Sequence, residues 1–349
     1  MNMGIISGSR LRASLGPSIN LFGNFSGGSK WVGGVLAPNG KIYGIPIGSN
    51  KILEIDPSND TASLFGNLLG SDKWYGGVLA PNGKIYGIPR DATQILEIDP
   101  VNQTTSLFGD LSGFNNWTGG VLAPNGKIYG IPFDSTQVLE IDPVNQNTSL
   151  FGSLVGVEKY FGGVLAPNGK IYAIPFNSTQ VLEIDPVNQT TSLFGDISGG
   201  DKYFGGVLAP NGKIYAIPRD ARQILEINPV NRTTTLFGQL IDSGERKWAG
   251  GVLAQNGKIY GIPLNQTQVL EIDPSNNNIR FLKSFSGVNK WFGGVLAPNG
   301  KIYCIPFSTT QILVIDNVDT PNIIGSDANI PASLANLATS NYNEYYNKL

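Results

Sequence analysis

The chain is dominated by one phrase, Gly-Gly-Val-Leu-Ala-Pro-Asn-Gly-Lys-Ile-Tyr, which occurs seven times with few changes. The copies begin at Gly33, Gly76, Gly119, Gly162, Gly205, Gly250 and Gly293. Successive starts are 43 residues apart, except for one step of 45 residues whose two extra residues fall within 241–246. Such regular spacing indicates one supersecondary unit used repeatedly, because each unit can bury its apolar face only against its neighbours.

Each unit contains four short segments that alternate in the manner of β-strands. In the second copy these segments are residues 76–80, 84–89, 94–99 and 104–108. Pro-Asn-Gly and Asp-Pro-x-Asn separate them, where proline presets φ for a turn and glycine supplies a left-handed position. Four strands in one repeat are typical of a propeller blade. The sequence therefore predicts an all-β, seven-bladed β-propeller with four antiparallel strands per blade.

The two ends of the repeat array indicate how the ring closes. Only six fourth strands lie between the seven copies, so the last blade needs one from elsewhere. Residues 18–22 match the fourth strands of the interior copies, and we predict that they pair with residues 311–316, which leaves no open edge. Residues 322–324 are the alternative source. We thus divide the chain into an N-terminal arm (1–17), the propeller (18–316) and a C-terminal tail (317–349), part of which has helical spacing.

The repeated sequence of the blades resembles the blades of NHL-type and SMP-30-like propellers. The residues that carry the resemblance are Gly-Val-Leu-Ala-Pro-Asn-Gly-Lys-Ile-Tyr followed by Val-Leu-Glu-Ile-Asp-Pro. The resemblance covers residues 18–316 and implies the architecture. SMP-30-like lactonases hold an axial metal with a few distinct acidic and amide side chains. Here the innermost strand repeats Gly-Gly-Val-Leu-Ala, which offers no such ligand set. Propeller lyases that use a catalytic histidine are excluded because this chain has no histidine.

Composition removes much of the usual catalytic chemistry. Histidine, the commonest general base and zinc ligand, is absent from the chain. The single cysteine, Cys304, occupies a repeat position that holds glycine or alanine in the other copies.

With 24 basic and 26 acidic residues, the chain has no excess of positive charge to attract nucleic acid. We therefore expect no enzymatic activity, no metal, no cofactor and no nucleic-acid partner. No segment reads as a signal peptide or a membrane-spanning helix, which favours an intracellular location without membrane insertion.

An aromatic residue precedes each glycine pair by two positions: Trp31, Trp74, Trp117, Tyr160, Tyr203, Trp248 and Trp291. We favour a wedge role, in which these rings are buried between neighbouring blades. In the alternative they are exposed stacking platforms, and the chain is a multivalent carbohydrate-binding lectin. A lysine precedes six of the seven aromatics, and nearby acidic residues predict a solvated surface of mixed charge there.

The copies differ mainly in two loops, one between the second and third strands and one between the fourth strand and the next first strand. In a four-stranded meander both loops emerge on the same side of the disc, which we call the variable-loop face. Loops on a rigid scaffold commonly carry recognition, so we predict binding on this face. The candidate ligand-binding residues, besides the seven aromatics, are Arg90, Asp91, Phe133, Phe176, Arg219, Asp220 and Phe307. Asp91 and Asp220, together with Asp134, are the carboxylates that could converge on a ligand or an ion.

The C-terminal tail has a partly apolar stripe at helical spacing. It is interpreted either as a helix or coil lying on the propeller or as a docking segment for another subunit. The candidate docking residues are Leu334, Leu337, Tyr342, Tyr345 and Tyr346. The sequence as a whole favours a non-enzymatic binding or structural interaction module whose partner is a protein or a larger assembly. A glycan is the alternative ligand.

Overall fold

The computed structural model describes residues 17–240 and 244–316 of the chain, and within these residues all regular structure is β-strand. Seven four-stranded antiparallel sheets are arranged as the blades of one propeller. The innermost strands are β2 (Trp31–Leu36), β6 (Trp74–Leu79), β10 (Trp117–Leu122), β14 (Tyr160–Leu165), β18 (Tyr203–Leu208), β22 (Trp248–Leu253) and β26 (Trp291–Leu296). Each of them contacts the innermost strand of the blade on either side, which closes the ring. The predicted seven-bladed fold is confirmed.

The remaining strands follow in order from the axis outward. The second strands are β3 (Ile42–Pro46), β7 (Ile85–Pro89), β11 (Ile128–Pro132), β15 (Ile171–Pro175), β19 (Ile214–Pro218), β23 (Ile259–Pro263) and β27 (Ile302–Pro306). The third strands are β4 (Ile52–Asp56), β8 (Ile95–Asp99), β12 (Val138–Asp142), β16 (Val181–Asp185), β20 (Ile224–Asn228), β24 (Val269–Asp273) and β28 (Ile312–Asp316). The outermost strands are β5 (Thr61–Phe65), β9 (Thr104–Phe108), β13 (Asn147–Phe151), β17 (Thr190–Phe194), β21 (Thr233–Phe237), β25 (Asn278–Leu282) and β1 (Ser18–Phe22).

The N-terminal strand closes the seventh blade, as predicted. β1 pairs antiparallel with β28, and the register places Ile19 opposite Ile315 and Phe22 opposite Ile312. Ile19 and Phe22 are partly buried and pack on either side of the blade, against two different apolar clusters. Because β1 occupies the edge of β28, the ring is held shut by a segment from the opposite end of the chain.

The glycine pair of each inner strand serves two separate needs. Gly33 has a φ of 71°, and the pairing of β2 with β3 is interrupted by a bulge between Trp31 and Gly34. A Cβ on Gly34 would lie 2.7 Å from the side chain of Ile305 in the neighbouring blade. The first glycine is therefore required by backbone conformation, and the second by the close approach of adjacent blades near the axis.

Candidate functional site

Three repeat positions meet around the axis on the variable-loop face, and each occurs once per blade. The floor positions, directly after the wedge aromatics, are Val32, Tyr75, Thr118, Phe161, Phe204, Ala249 and Phe292. The wall positions, directly after the second strands, are Ile47, Arg90, Phe133, Phe176, Arg219, Leu264 and Phe307. The rim positions, directly before the wedge-flanking lysine or Asn116, are Ser29, Asp72, Asn115, Glu158, Asp201, Arg246 and Asn289. These positions vary strongly from blade to blade, unlike the strands that carry them.

The floor is a packed aromatic cluster that crosses the axis. The ring centroids of Phe161 and Phe204 are 4.2 Å apart, and Tyr75 meets Phe161 edge-on at 5.1 Å. Phe292 lies against Tyr75 and Phe204, so four blades contribute rings to one continuous surface. Among the glycines beneath this floor the axis holds a cavity of about 30 Å³, with room for one or two water molecules.

A larger cavity, of about 260 Å³, lies among the floor, wall and rim positions. It is lined by Ser29, Ile47, Asp72, Tyr75, Arg90, Thr118, Phe133, Phe161, Phe176, Phe204, Arg246 and Phe307. We call it the axial cavity. Its walls combine aromatic rings with charged groups, which is the usual make-up of a small-molecule site.

Arginines stand beside the aromatic rings of this cavity. The guanidinium carbon of Arg90 lies 5.4 Å from the centroid of Tyr75. That of Arg219 lies 5.3 Å from Phe176 and 5.2 Å from Phe204, whose rings are stacked on each other. Burial raises the pKa of Tyr75 well above its ordinary value, and this effect outweighs the positive charges of the arginines, which lower the pKa. The phenol therefore stays neutral.

The acidic loop residues have a structural role that their sequence positions did not reveal. Asp91 Oδ1 accepts a hydrogen bond of 2.7 Å from the backbone N–H of Asn115, the rim residue of the next blade. Asp220 does the same for Arg246, and Asp134 for Glu158. The rim residues have φ near +50°, a conformation that such a side-chain acceptor helps to hold. Each of these three carboxylates thus caps a loop of the neighbouring blade.

The lysines that precede the wedge aromatics are buried, which corrects the predicted solvated surface. Lys73 Nζ donates to the backbone carbonyls of Gly70, Ser49 and Ile47 at 2.6, 3.0 and 3.1 Å. Lys159 Nζ likewise donates to the carbonyl of Gly156 and to the carbonyls of Phe133 and Asp134 in the loop of the preceding blade. Burial lowers the pKa of Lys30, Lys202 and Lys290 to about 8. The ammonium groups of Lys30, Lys73 and Lys159 each join two neighbouring loops, and these hydrogen bonds brace the loops around the axial cavity.

The wedge aromatics are buried between blades. Trp74 is 3% exposed and packs against Val35 and Ile45 of the preceding blade, while its Nε1–H donates to the carbonyl of Gln94 at 2.8 Å. The whole set is at most 3% exposed: Trp31, Trp74, Trp117, Tyr160, Tyr203, Trp248 and Trp291. These rings present no open face to a sugar, so their assignment as ligand-binding residues is corrected in favour of the wedge interpretation.

The structure brings together part of the set of loop residues predicted to bind a ligand. Arg90, Phe133, Phe176 and Phe307 line the axial cavity, and Arg219 packs on two of its rings. Asp91 and Asp220 are not among its lining residues. The docking residues Leu334, Leu337, Tyr342, Tyr345 and Tyr346 lie outside the described residues.

Sequence reasoning missed the floor positions and two charged rim residues, Asp72 and Arg246. A signal was present for the floor. The residue after each wedge aromatic changes between valine, tyrosine, threonine, phenylalanine and alanine, while the next four residues, Gly-Gly-Val-Leu, are the same in every copy.

The described residues hold neither a cluster of metal-ligating side chains nor a membrane-spanning helix. Residues 17–240 and 244–316 contain no cluster of three or more histidine, cysteine, aspartate or glutamate side chains arranged to hold a metal ion. The same residues include no helix of the length and apolar character that a membrane crossing requires.

Comparisons with known proteins support the architecture. No protein-family model matches the sequence, and no curated protein matches it significantly. A streptogramin B lyase structure superposes with a TM-score of 0.73 at 12% identity, covering 87% of this chain and 99% of that chain. Kuenenia stuttgartiensis hydrazine synthase superposes with a TM-score of 0.66 at 11% identity, covering 89% and 99%. An extracellular domain from B. thetaiotaomicron, described as part of a one component system, has a TM-score of 0.63 at 10% identity, covering 83% and 41%.

The expectation of a chain without enzymatic activity is corrected by this comparison. A lyase and a hydrazine synthase are enzymes, and they share the propeller fold with this chain. At such low identity the likeness shows the fold alone, so catalysis has to be decided from the side chains of the site. The resemblance to NHL-like propellers is confirmed at the level of that fold.

Proposed function

We propose that this chain is a binding module that holds a small ligand in the axial cavity of its variable-loop face. The observation that carries the proposal is the cavity of about 260 Å³, whose lining differs between blades. The strands around it are nearly identical, so a purely structural ring would have no need for arginine in place of phenylalanine at the wall. Its volume approaches the lower end of the range for small-molecule pockets, roughly 300 Å³.

The braced loops support the same proposal. A site holds a ligand tightly when its side chains are positioned before the ligand arrives. Here Asp91 and Asp220 cap the neighbouring rim residues, and buried lysines such as Lys73 join the loops through backbone carbonyls. The loops that carry the polar groups of the cavity are therefore held by hydrogen bonds that do not use the ligand.

The test is to soak crystals with a library of small neutral and charged fragments. We expect bound fragments to concentrate in the axial cavity. An Ile47→Phe variant should reduce that binding, because it adds a ring to a wall that already holds phenylalanine in three other blades. Val101→Phe adds similar bulk at a residue 82% exposed in a turn outside the cavity, and it serves as the matched control. Fragments that settle elsewhere and leave the axial cavity empty would contradict the proposal.

A second candidate function is docking of a protein partner on the same face. Large apolar side chains protrude from its loops: Leu69, Phe114, Val155, Val157 and Val288 are between 66% and 90% exposed. Apolar groups placed in this way mark interaction surfaces. In a pull-down from the native source, Phe114→Ser with Val155→Ser should abolish capture of a partner. The control Val144→Ser, in a turn of the opposite face, should not. Equal capture by both variants would exclude this surface.

A further inference from the structure

We infer that the axial cavity takes a small planar acid, an aromatic or conjugated carboxylate, whose carboxylate lies between Arg90 and Arg246. The inference deepens the proposed function and rests on it. Both arginines line the cavity, and the guanidinium carbon of Arg90 lies 5.4 Å from the ring centroid of Tyr75.

The described residues do not use all of the hydrogen-bonding capacity of the arginines at this face. The Nε atoms of Arg90, Arg219 and Arg246 are buried, and no described residue accepts a hydrogen bond from them. An N–H group removed from water without an acceptor costs free energy, so native proteins rarely leave one unsatisfied. Arg90 and Arg246 line the axial cavity, so two of these three atoms belong to side chains that a ligand in the cavity can contact.

The carboxylates near the site do not satisfy these arginines equally. Arg219 is held by Asp220 at 2.5 Å and by Asp201 at 3.3 Å, so its charge is balanced. Arg90 lies 3.8 Å from Asp72, beyond hydrogen-bond distance. Among the side chains that line the cavity, Arg90 and Arg246 are positive and Asp72 is negative. An anion is therefore favoured over a cation, and a carboxylate suits the planar donor fork of a guanidinium.

The aromatic part of the ligand follows from the rest of the lining. Phe133, Phe161, Phe176 and Phe204 present rings to the cavity, and Phe161 and Phe204 also form its floor. A planar ring or conjugated system can pack on such a surface with offset or edge-on geometry. A bare inorganic anion would leave these apolar walls in contact with water.

The experiment compares three probes by isothermal titration: benzoate, its neutral analogue benzamide, and inorganic phosphate. We expect benzoate to bind more tightly than either of the others, with affinity that falls as salt is raised. Arg90→Gln and Arg246→Gln should each weaken benzoate binding about tenfold or more, as for loss of a charge-assisted hydrogen bond. Benzamide binding should barely change in these variants. Arg222→Gln is the matched control, since Arg222 is exposed in a loop of the same face and does not line the cavity.

Equal binding of benzoate and benzamide would overturn the inference of an acid, and so would a loss of benzoate binding in Arg222→Gln as large as in Arg246→Gln. Phosphate binding as tightly as benzoate would overturn the aromatic part. An absence of benzoate binding would also refute the inference. The fragment soaks decide the proposed function separately, because neutral fragments in the axial cavity would uphold it even then.

Discussion

The junction between the last and first blades offers a sharp test of how this ring is held shut. In an ordinary blade, a buried carboxylate of the third strand joins two blades. Glu97 accepts hydrogen bonds from Lys84 Nζ at 2.6 Å and from the Tyr86 hydroxyl at 2.9 Å. Gln146 of the next blade donates to the same carboxylate at 3.1 Å.

The seventh blade lacks this glutamate, because Val314 occupies its position. The carboxylate comes instead from Asp60 of the first blade, at the turn position that Gln146 occupies in its own blade. The Tyr303 hydroxyl donates to Asp60 Oδ1 at 2.5 Å, and Lys301 Nζ lies 3.4 Å from Oδ2. Two substitutions on opposite sides of the junction thus compensate each other.

We predict that Asp60→Gln alone destabilises the protein by about 1–2 kcal/mol. The value is taken from the lower part of the range for hydrogen bonds to charged groups, because the Asp60 side chain is 41% exposed. Val314→Glu alone should also destabilise, since it puts a second carboxylate beside Asp60. The double variant reproduces the ordinary blade and should recover most of the loss, with a coupling energy on the order of 1–3 kcal/mol.

Differential scanning calorimetry of the four proteins measures the effect, and each kcal/mol should shift Tm by roughly 2 °C for a domain of this size. Asp196→Gln, at an exposed loop aspartate, controls for loss of surface charge and should leave Tm nearly unchanged. If the double variant melts no higher than the less stable of the two single variants, the reasoning about a compensated junction is refuted.

Two further predictions concern the core and the blade junctions. Trp74→Ala should lower the free energy of unfolding by roughly 3–5 kcal/mol, because a buried wedge is removed, and chemical denaturation should show it. A variant as stable as the parent would restore the exposed-platform interpretation. Thermal stability should fall as pH drops below about 4.5, the ordinary glutamate range. Burial opposes ionisation of Glu97, but the hydrogen bonds from Lys84, Tyr86 and Gln146 outweigh it and lower its pKa. The unfolded chain therefore binds protons first, and stability present above pH 4.5 is lost as the folded carboxylates protonate. Melting curves from pH 7 to 3 that stay level would contradict this.

The fold could be predicted from the sequence because the signals that specify it lie within single repeats and recur in all seven copies. Strand alternation and the turn residues specify one blade, and seven copies specify the ring. The closing strand could be identified because the sequence of residues 18–22 matches that of the outermost strands in the other blades. The wedge role of Trp74 and the variable-loop face could also be predicted, because both depend on where a position lies in the repeat.

Other features depend on groups from different blades and could not be read from any one repeat. Lysines are ordinarily exposed, and only the folded ring shows three carbonyls surrounding Lys73 Nζ. Likewise, the sequence makes Asp91 a candidate ligand-binding residue, and only the folded ring shows that its carboxylate accepts a hydrogen bond from the backbone N–H of Asn115 in the next blade. Loss of the glutamate at Val314 has a meaning only when Asp60 is seen across the junction.

The sequence by itself therefore determined the number of blades, their strands, the closing strand and the face on which the copies diverge. Tertiary structure alone decided which divergent residues share the axis and which of their polar groups are satisfied. Arg90 and Arg246 belong to blades far apart in the chain, and they line one cavity only because the ring closes. Hydrogen-bond satisfaction is a property of three-dimensional neighbours, so the unsatisfied Nε atoms of Arg90 and Arg246 can be recognised only in the folded molecule.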